Sequence, residues 1–208
     1  RIGRAFMRRA IGERDISIVA VNDLGDIESF AYLLKYDSVY KQASFPVSHE
    51  ENTLIVGRKK IKFLSVKEPS RLPWRALKVD VVVESTGVFE TYEKSRAHLT
   101  AGGKRVVITA PVRDEPPAGV MGATVLVGVN ENKLKTCDIS SNASCTTNAG
   151  SPLIAILDET LGIESALLST VHGYTASQGL GDSPAKKDMR RGRAGAINIV
   201  PSSTGAAH

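Results

Sequence analysis

The chain opens on a helical pattern: Ile2, Phe6 and Ala10 share one face while Arg4, Arg8, Arg9 and Glu13 point away, which predicts a helix over residues 2 to about 13. The apolar run Ile16 to Val21 then predicts a strand that stops at Asn22-Asp23, and a second helix is expected from Asp26, its N-cap, to about Leu34. Alternation on either side of Gly57-Arg58 predicts a hairpin through Leu54, Val56, Ile61 and Phe63, and Pro69 and Pro73 end extended structure after it. Val79 to Val83 is an unbroken β-branched run, the pattern of a strand buried on both faces, and Lys104 to Ile108 and Thr124 to Val129 look similar. Thr91 to Leu99 reads as a crossover helix with His98 on its surface.

Strand and helix alternating in this way predict an α/β fold, a doubly wound parallel sheet whose ligand crevice lies at the carboxyl ends of the strands. Asp23, Ser85-Thr86-Gly87 and Thr109 fall at such ends. Near residue 140 the rhythm changes: a polar stretch from Ser140 to Asn148 feeds a helix through about Thr160, followed by an expected strand from Ala166 to Val171 that ends at His172. The expected organisation is therefore a sheet domain over residues 1–144 and the beginning of an α+β domain over 145–208. The first strand of the sheet domain is expected to be missing ahead of Arg1, and the second domain to be unfinished at His208.

Composition narrows the class. With 42% hydrophobic and 24% charged residues the chain reads as globular, neither disordered nor fibrous. No apolar run approaches the roughly 18 residues of a membrane span and no leader opens the chain, so a cytoplasmic protein is expected. Cys137 and Cys145 have neither the number nor the spacing of a disulfide framework or zinc site; no metal is expected and a reactive thiol is. The net charge of +5 is spread along the chain, densest at Lys186, Lys187, Arg190, Arg191 and Arg193. Gly192 and Gly195 punctuate that segment and no aromatic residues alternate with the charges to stack on bases, so an anionic small substrate is preferred to nucleic acid.

Cys145 carries the strongest chemical signal, a thiol at an expected helix start among Ser144, Thr146 and Thr147. A helix N-terminus and an imidazole can lower a cysteine pKa from about 8.5 into a range of roughly 3.5 to 7.5, exposing a nucleophilic thiolate at neutral pH. His172 is the candidate imidazole, since His49 lies in a polar loop, His98 on the helix surface and His208 at the end of the chain. Gly3 at a helix start and Asp23 at the next strand end have the separation of a dinucleotide fingerprint and its ribose-binding acid, although either could serve merely packing or a turn. Ser144, Thr146, Thr175, Thr204 and Gly205, with Arg190, form a set of hydroxyl, backbone and guanidinium donors suited to phosphate oxygens.

Three strings, Ser141-Asn142-Ala143-Ser144-Cys145-Thr146-Thr147-Asn148, Thr170-Val171-His172-Gly173-Tyr174-Thr175 and Pro201-Ser202-Ser203-Thr204-Gly205-Ala206-Ala207, resemble the phosphorylating glyceraldehyde-3-phosphate dehydrogenases. The likeness extends to Arg1-Ile2-Gly3-Arg4, Val21-Asn22-Asp23, Tyr36-Asp37-Ser38-Val39-Tyr40 and Glu84-Ser85-Thr86-Gly87-Val88-Phe89. The resemblance implies a Rossmann-type NAD domain, with Arg1, Ile2, Asp23, Lys67, Thr86 and Thr109 at the cofactor. It implies Cys145 as nucleophile and His172 as its base, with Ser144, Thr146, Thr175, Arg190, Thr204 and Gly205 binding glyceraldehyde 3-phosphate and inorganic phosphate. It also implies a homotetramer, with residues 178 to 198 as a loop against a neighbouring subunit, and Leu24 and Pro184 as NAD-preferring choices.

Departures from the family pattern are the absent opening strand and C-terminal remainder, which make the chain by itself an expected inactive piece, Ala149 where many relatives carry cysteine, and His208 where lysine is common. The competing expectations are erythrose-4-phosphate dehydrogenase, against which Ser203-Thr204-Gly205 argues, a non-catalytic nucleotide- or RNA-binding protein, and a Cys-His hydrolase, which a preceding nucleotide-like domain disfavours.

Overall fold

A computed structural model describes residues 1–185 and 188–206. Lys186, Lys187 and His208, named above in the basic cluster and among the histidines, lie outside the described residues, as does Ala207 of the third family-like string. The chain divides into two compact units, residues 1–143 and 144–208.

In the first unit, helix α1 (Ile2–Ala10), strand β1 (Ala20–Asn22) and helix α2 (Ile27–Lys35) are followed by a two-residue ladder of β2 (Tyr36–Asp37) and β3 (Lys41–Gln42). Strands β4 (Val47–Glu50), β5 (Thr53–Val56) and β6 (Lys59–Leu64) complete a sheet of order β1-β6-β5-β4, in which β1 runs parallel to β6 and the rest are antiparallel. The expected hairpin is present, its turn at Gly57 in the left-handed region, and Leu54, Val56, Ile61 and Phe63 all point into a core with Phe30 and Leu34 of α2. Asp26 caps α2 as expected, accepting from the Ser29 N–H at 2.7 Å.

A second sheet is all parallel. Strand β7 (Val81–Glu84), helix α3 (Tyr92–Thr100), and strands β8 (Arg105–Ile108), β9 (Gly122–Thr124) and β10 (Ile139–Ser141) form the order β7-β8-β10-β9, with Val106, Ile108 and Ile139 packed on Trp74 and Tyr92. The crossover from β7 to β8 through α3, with Thr91 accepting the Lys94 N–H as N-cap, is the α/β unit read from the sequence.

Several expectations are corrected. Helix α1 buries Met7 and Ala10 instead of the Ile2–Phe6 face, because it leans on α2 through Met7; Ile2 is 56% exposed, and Arg4 lies over the Phe30 ring at 5.9 Å. Strand β1 is shorter than Ile16 to Val21, since it lasts only where β6 lies alongside. Strand β7 is buried on one face only: Val82 and Glu84 point inward while Val81 is 49% exposed. Residues 125–129 leave the sheet because the Asn130 side chain caps a turn, its Oδ1 accepting the Leu126 N–H at 2.7 Å, with Gly128 in the left-handed region. Strand β10, whose Ser140 and Ser141 the sequence pattern places only at the start of a polar stretch, is wholly buried; Ser141 Oγ donates to the Ala110 carbonyl at 2.7 Å, which satisfies its buried hydroxyl. His98 is 4% exposed, not on the helix surface.

The second unit consists of helix α4 (Cys145–Leu161), irregular segments and a short 3-10 turn at Met189–Gly192. The expected strand from Ala166 to Val171 does not form: α4 buries none of its side chains, no described segment of this unit offers a ladder edge, and Val171 is 93% exposed.

The alignment of α2 on the first sheet predicts that Leu34→Ala, which empties a fully buried position, lowers the free energy of unfolding by about 2–5 kcal/mol, whereas Leu33→Ala on the exposed side costs under about 1 kcal/mol. Denaturant titration of both variants checks this, and equal losses would contradict the packing described.

Candidate active site

Cys145 is the first residue of α4 because the chain leaves β10 through a sharp turn. Ala143 takes a left-handed backbone (φ 56°) and donates its N–H to Ser141 Oγ at 3.1 Å, and Ser144 then caps the helix by accepting the Thr147 N–H at 3.0 Å. The thiol therefore sits where free N–H groups and the positive end of the helix dipole favour an anion. His172 comes from the irregular segment beyond α4, and its Nε2 lies 3.0 Å from Cys145 Sγ. Its Nδ1 is 2.7 Å from the Gly173 carbonyl, so Nδ1 carries a proton and Nε2 is the atom that faces the sulfur.

The two groups support each other's charge. The hydrogen bond from His172 holds the Cys145 thiol below its ordinary value, against a smaller upward effect of burial, with the charge of His172 and the Thr146 N–H and hydroxyl adding to the lowering. The Gly173 carbonyl and the Cys145 sulfur together push His172 above the usual imidazole range. Both side chains are exposed, so the pair is open to solvent. Cys137 is the contrast, a buried thiol whose pKa burial pushes up.

The other expected substrate-site residues fall around α4 and the loops of the second unit. Ser144 and Thr146 flank the thiol at the helix start, with Ser144 Oγ also 2.7 Å from the Thr147 hydroxyl. Thr175 pairs with Ser177 at 2.9 Å, Thr204 accepts the Ala206 N–H at 3.2 Å, and Gly205 follows it. Arg190 is held in a fork by Asp188, Nε to Oδ1 at 3.0 Å and Nη2 to Oδ2 at 2.8 Å. Its neighbour Arg191, read from the sequence only as part of the basic cluster, bridges Ser177 and Ser202 and so ties the Thr175 turn to the segment before Thr204. Arg193 pairs with Asp182 at 2.8 Å. Among the described residues of the basic cluster, Arg190 and Arg193 are thus paired with carboxylates, while Arg191 bonds serine hydroxyls.

The expected cofactor residues belong to the first unit. Asp23 follows β1, its Oδ1 accepting the Gly25 N–H at 2.8 Å, and Gly3, in the first turn of α1, lies so close to Ser85 that an added Cβ would be 3.4 Å from the Ser85 Cβ. The Ser85 hydroxyl is buried without a hydrogen-bond partner. Ile2 opens α1, and Arg1 forms a two-pronged pair with Asp37 at 3.1 and 3.3 Å, which holds the Asp37 carboxyl well below the usual range. Lys67 lines a surface hollow of about 340 Å³ with Val66, Glu68 and Arg71. Asn22, read from the sequence only as ending the strand, carries on the β1–β6 ladder with its amide, donating to the Val66 carbonyl at 3.0 Å and accepting from the Val66 N–H at 2.9 Å. Thr86 and Thr109 stand at the carboxyl ends of the adjacent parallel strands β7 and β8. Among the described residues no cluster of His, Cys, Asp and Glu could hold a metal ion, and no helix is long and apolar enough to cross a membrane.

Comparison with known proteins adds two family matches and a set of relatives. Residues 1–92 match the family described as glyceraldehyde 3-phosphate dehydrogenase, NAD binding domain, and residues 144–208 match glyceraldehyde 3-phosphate dehydrogenase, C-terminal domain. The chain is 50% identical over 211 residues to glyceraldehyde-3-phosphate dehydrogenase of Thermotoga maritima, covering 100% of this chain and 61% of the relative. It is 50% identical over 215 residues to that of Mycobacterium avium, again 100% of this chain and 61% of the relative. Glyceraldehyde-3-phosphate dehydrogenase B of Aspergillus oryzae is 43% identical over 208 residues, 100% of this chain and 60% of the relative. The chain thus spans about three fifths of the length of these curated relatives.

The opposed shifts of Cys145 and His172 define a pH window bounded below by the lowered thiol and above by the raised imidazole, in which thiolate and imidazolium coexist. Peptide-mapped alkylation with iodoacetamide should therefore modify Cys145 at pH values below the ordinary thiol range of about 8.5, with Cys137 slow throughout. His172→Asn should move the midpoint of the Cys145 rate profile upward; an unchanged midpoint would remove the imidazole from the account.

Proposed function

Because the chain belongs to the glyceraldehyde 3-phosphate dehydrogenase family, we propose that the whole protein oxidises D-glyceraldehyde 3-phosphate with NAD and inorganic phosphate to 1,3-bisphosphoglycerate, the reaction of glycolysis and gluconeogenesis. The observation that carries this reading is the 3.0 Å approach of Cys145 Sγ to His172 Nε2 at the start of α4. A thiolate held in this way adds to the aldehyde carbon while His172 hands its Nε2 proton to the aldehyde oxygen. The neutral imidazole takes that proton back as the carbon is oxidised, and phosphate then displaces the sulfur from the thioester. Bound NAD supplies the hydride acceptor for the oxidation.

The residues of the first unit fit a dinucleotide. Gly3 leaves the start of α1 close to the orphaned Ser85 hydroxyl, a place where N–H groups and a hydroxyl can meet pyrophosphate, and Asp23 at the end of β1 can accept from ribose hydroxyls. Arg1, Ile2, Lys67, Thr86 and Thr109 are assigned to the same site. Ser144, Thr146, Thr175, Arg190, Thr204 and Gly205 are assigned to the substrate phosphate and to inorganic phosphate, which asks Arg190 to exchange Asp188 for the substrate. A cytoplasmic homotetramer with residues 178–198 at a subunit contact completes the proposal.

In the complete protein, Cys145→Ser should abolish phosphate-dependent NADH formation from glyceraldehyde 3-phosphate, and His172→Asn should lower kcat by about 10²- to 10⁴-fold. Near-normal turnover by the serine variant would refute the assignment. Faster turnover of erythrose 4-phosphate without phosphate, or salt-sensitive RNA binding in the absence of NAD binding, would replace the substrate or the function itself.

A further inference from the structure

A carboxylate occupies a core position of the second sheet. Glu84 is on the same inward face of β7 as Val82 and is 5% exposed, where the pattern of the strand calls for an aliphatic side chain. Both of its oxygens are engaged. Oε1 accepts the Thr86 N–H at 2.7 Å and the Thr86 hydroxyl at 2.5 Å, and Oε2 accepts from His98 Nε2 at 2.9 Å. His98 in turn accepts the Trp74 indole N–H on Nδ1 at 3.1 Å, which fixes the ring proton on Nε2, where Glu84 receives it. The Trp74 ring lies beside the imidazole, centroids 6.4 Å apart and planes at 30°, and Phe89 meets it edge-on, so the ring has little freedom to turn.

The same residue also holds the neighbouring strand end. The Glu84 carbonyl accepts both the Thr109 N–H at 3.0 Å and the Thr109 hydroxyl at 3.1 Å, and the Thr86 hydroxyl accepts the Val88 N–H at 3.1 Å. Position 84 therefore meets both loops that leave β7 and β8, the Thr86 loop through the carboxylate and the Thr109 loop through the main-chain carbonyl that any residue would offer. A buried, fully bonded ion is a poor means of gaining stability over a packed aliphatic residue, but it is a good means of fixing one loop geometry. We propose that Glu84, oriented through His98 by Trp74, is the positioning residue that sets the Thr86 loop for the nicotinamide dinucleotide. This rests on the cofactor reading given above.

Two substitutions at His98 separate the links of the chain. Asparagine can still accept from Trp74 but does not reach Glu84; glutamine can place an amide N–H near the former Nε2 and restore the bond to Glu84. In the complete protein His98→Asn should raise the calorimetric Kd and the KM for NAD by about tenfold, with the KM for the aldehyde unchanged, and His98→Gln should recover most of the loss. Should His98→Asn fail to fold, Glu84→Gln, which keeps an acceptor for Thr86 but sets an N–H against His98, should show the same NAD-specific rise. A lowered Tm with NAD affinity within about twofold of the unmodified protein in all the variants would overturn the positioning role. Absence of NAD binding by the unmodified protein would instead remove the cofactor reading on which it rests.

Discussion

The contact on which the chemistry turns is a single hydrogen bond between a sulfur and an imidazole, and its value comes from where the backbone puts its two ends. Cys145 is the first helical residue after a left-handed Ala143 and a capping Ser144, so the thiol meets the unsatisfied end of a 17-residue helix. His172 arrives on a segment with no regular structure and is oriented by its neighbour's carbonyl. Neither environment alone makes a nucleophile: an exposed thiol at a helix end remains largely protonated at neutral pH unless a cation shares the site, and an exposed imidazole has no reason to stay charged without an anion. Together they shift in opposite directions: His172 is the main cause of the lowered thiol, and the Gly173 carbonyl, followed by the Cys145 sulfur, raises the imidazole.

Much of this was legible in residue order. The hairpin, the capped helix α2, the crossover helix α3 and the helix beginning at Cys145 follow from periodicity and capping residues, which are local properties. Legibility failed where partners distant in sequence decide. Ser140 and Ser141 look like loop residues until β8 and β9 close on both sides of them, and Thr124 to Val129 looks like a strand until Asn130 folds back on Leu126. The run from Ala166 to Val171 has every local mark of a strand, yet no described segment of its unit gives it an edge to pair with. His98 was misplaced for a related reason: the helix pattern leaves its face undetermined, and only Trp74 and Glu84, from elsewhere in the chain, bury it.

The residues that sequence patterning missed share a chemical character. Asn22, Glu84 and Ser141 are polar side chains that act as pieces of backbone, continuing a ladder, gathering a loop or closing a turn where the sheet's own hydrogen bonds run out. All lie in or at the carboxyl ends of parallel strands, where the ladder has to stop and orphaned N–H and C=O groups accumulate. An aliphatic residue in any of these places would leave the strand intact and the following loop free to move. The cost is highest for Glu84, and its carboxyl is still held below the ordinary value: burial pushes it up, but the bonds from His98 and Thr86 outweigh burial.

That balance has a consequence for how the first unit responds to acid. A carboxyl depressed in the folded state contributes stability that is complete above its unfolded value and is lost as pH falls through the folded one. When Glu84 takes up a proton it loses its charge, and with it the charge-assisted strength of the bonds from His98 Nε2–H and the Thr86 N–H. The strand ends would then loosen before the aliphatic cores, which contain no titrating group among Leu54, Ile61, Val106 and Ile139. Because the carboxyl is held below its ordinary value, the arrangement that fixes the loops persists into more acidic solution than one built on an ordinary carboxylate would, and it is released only as pH falls through that lowered value.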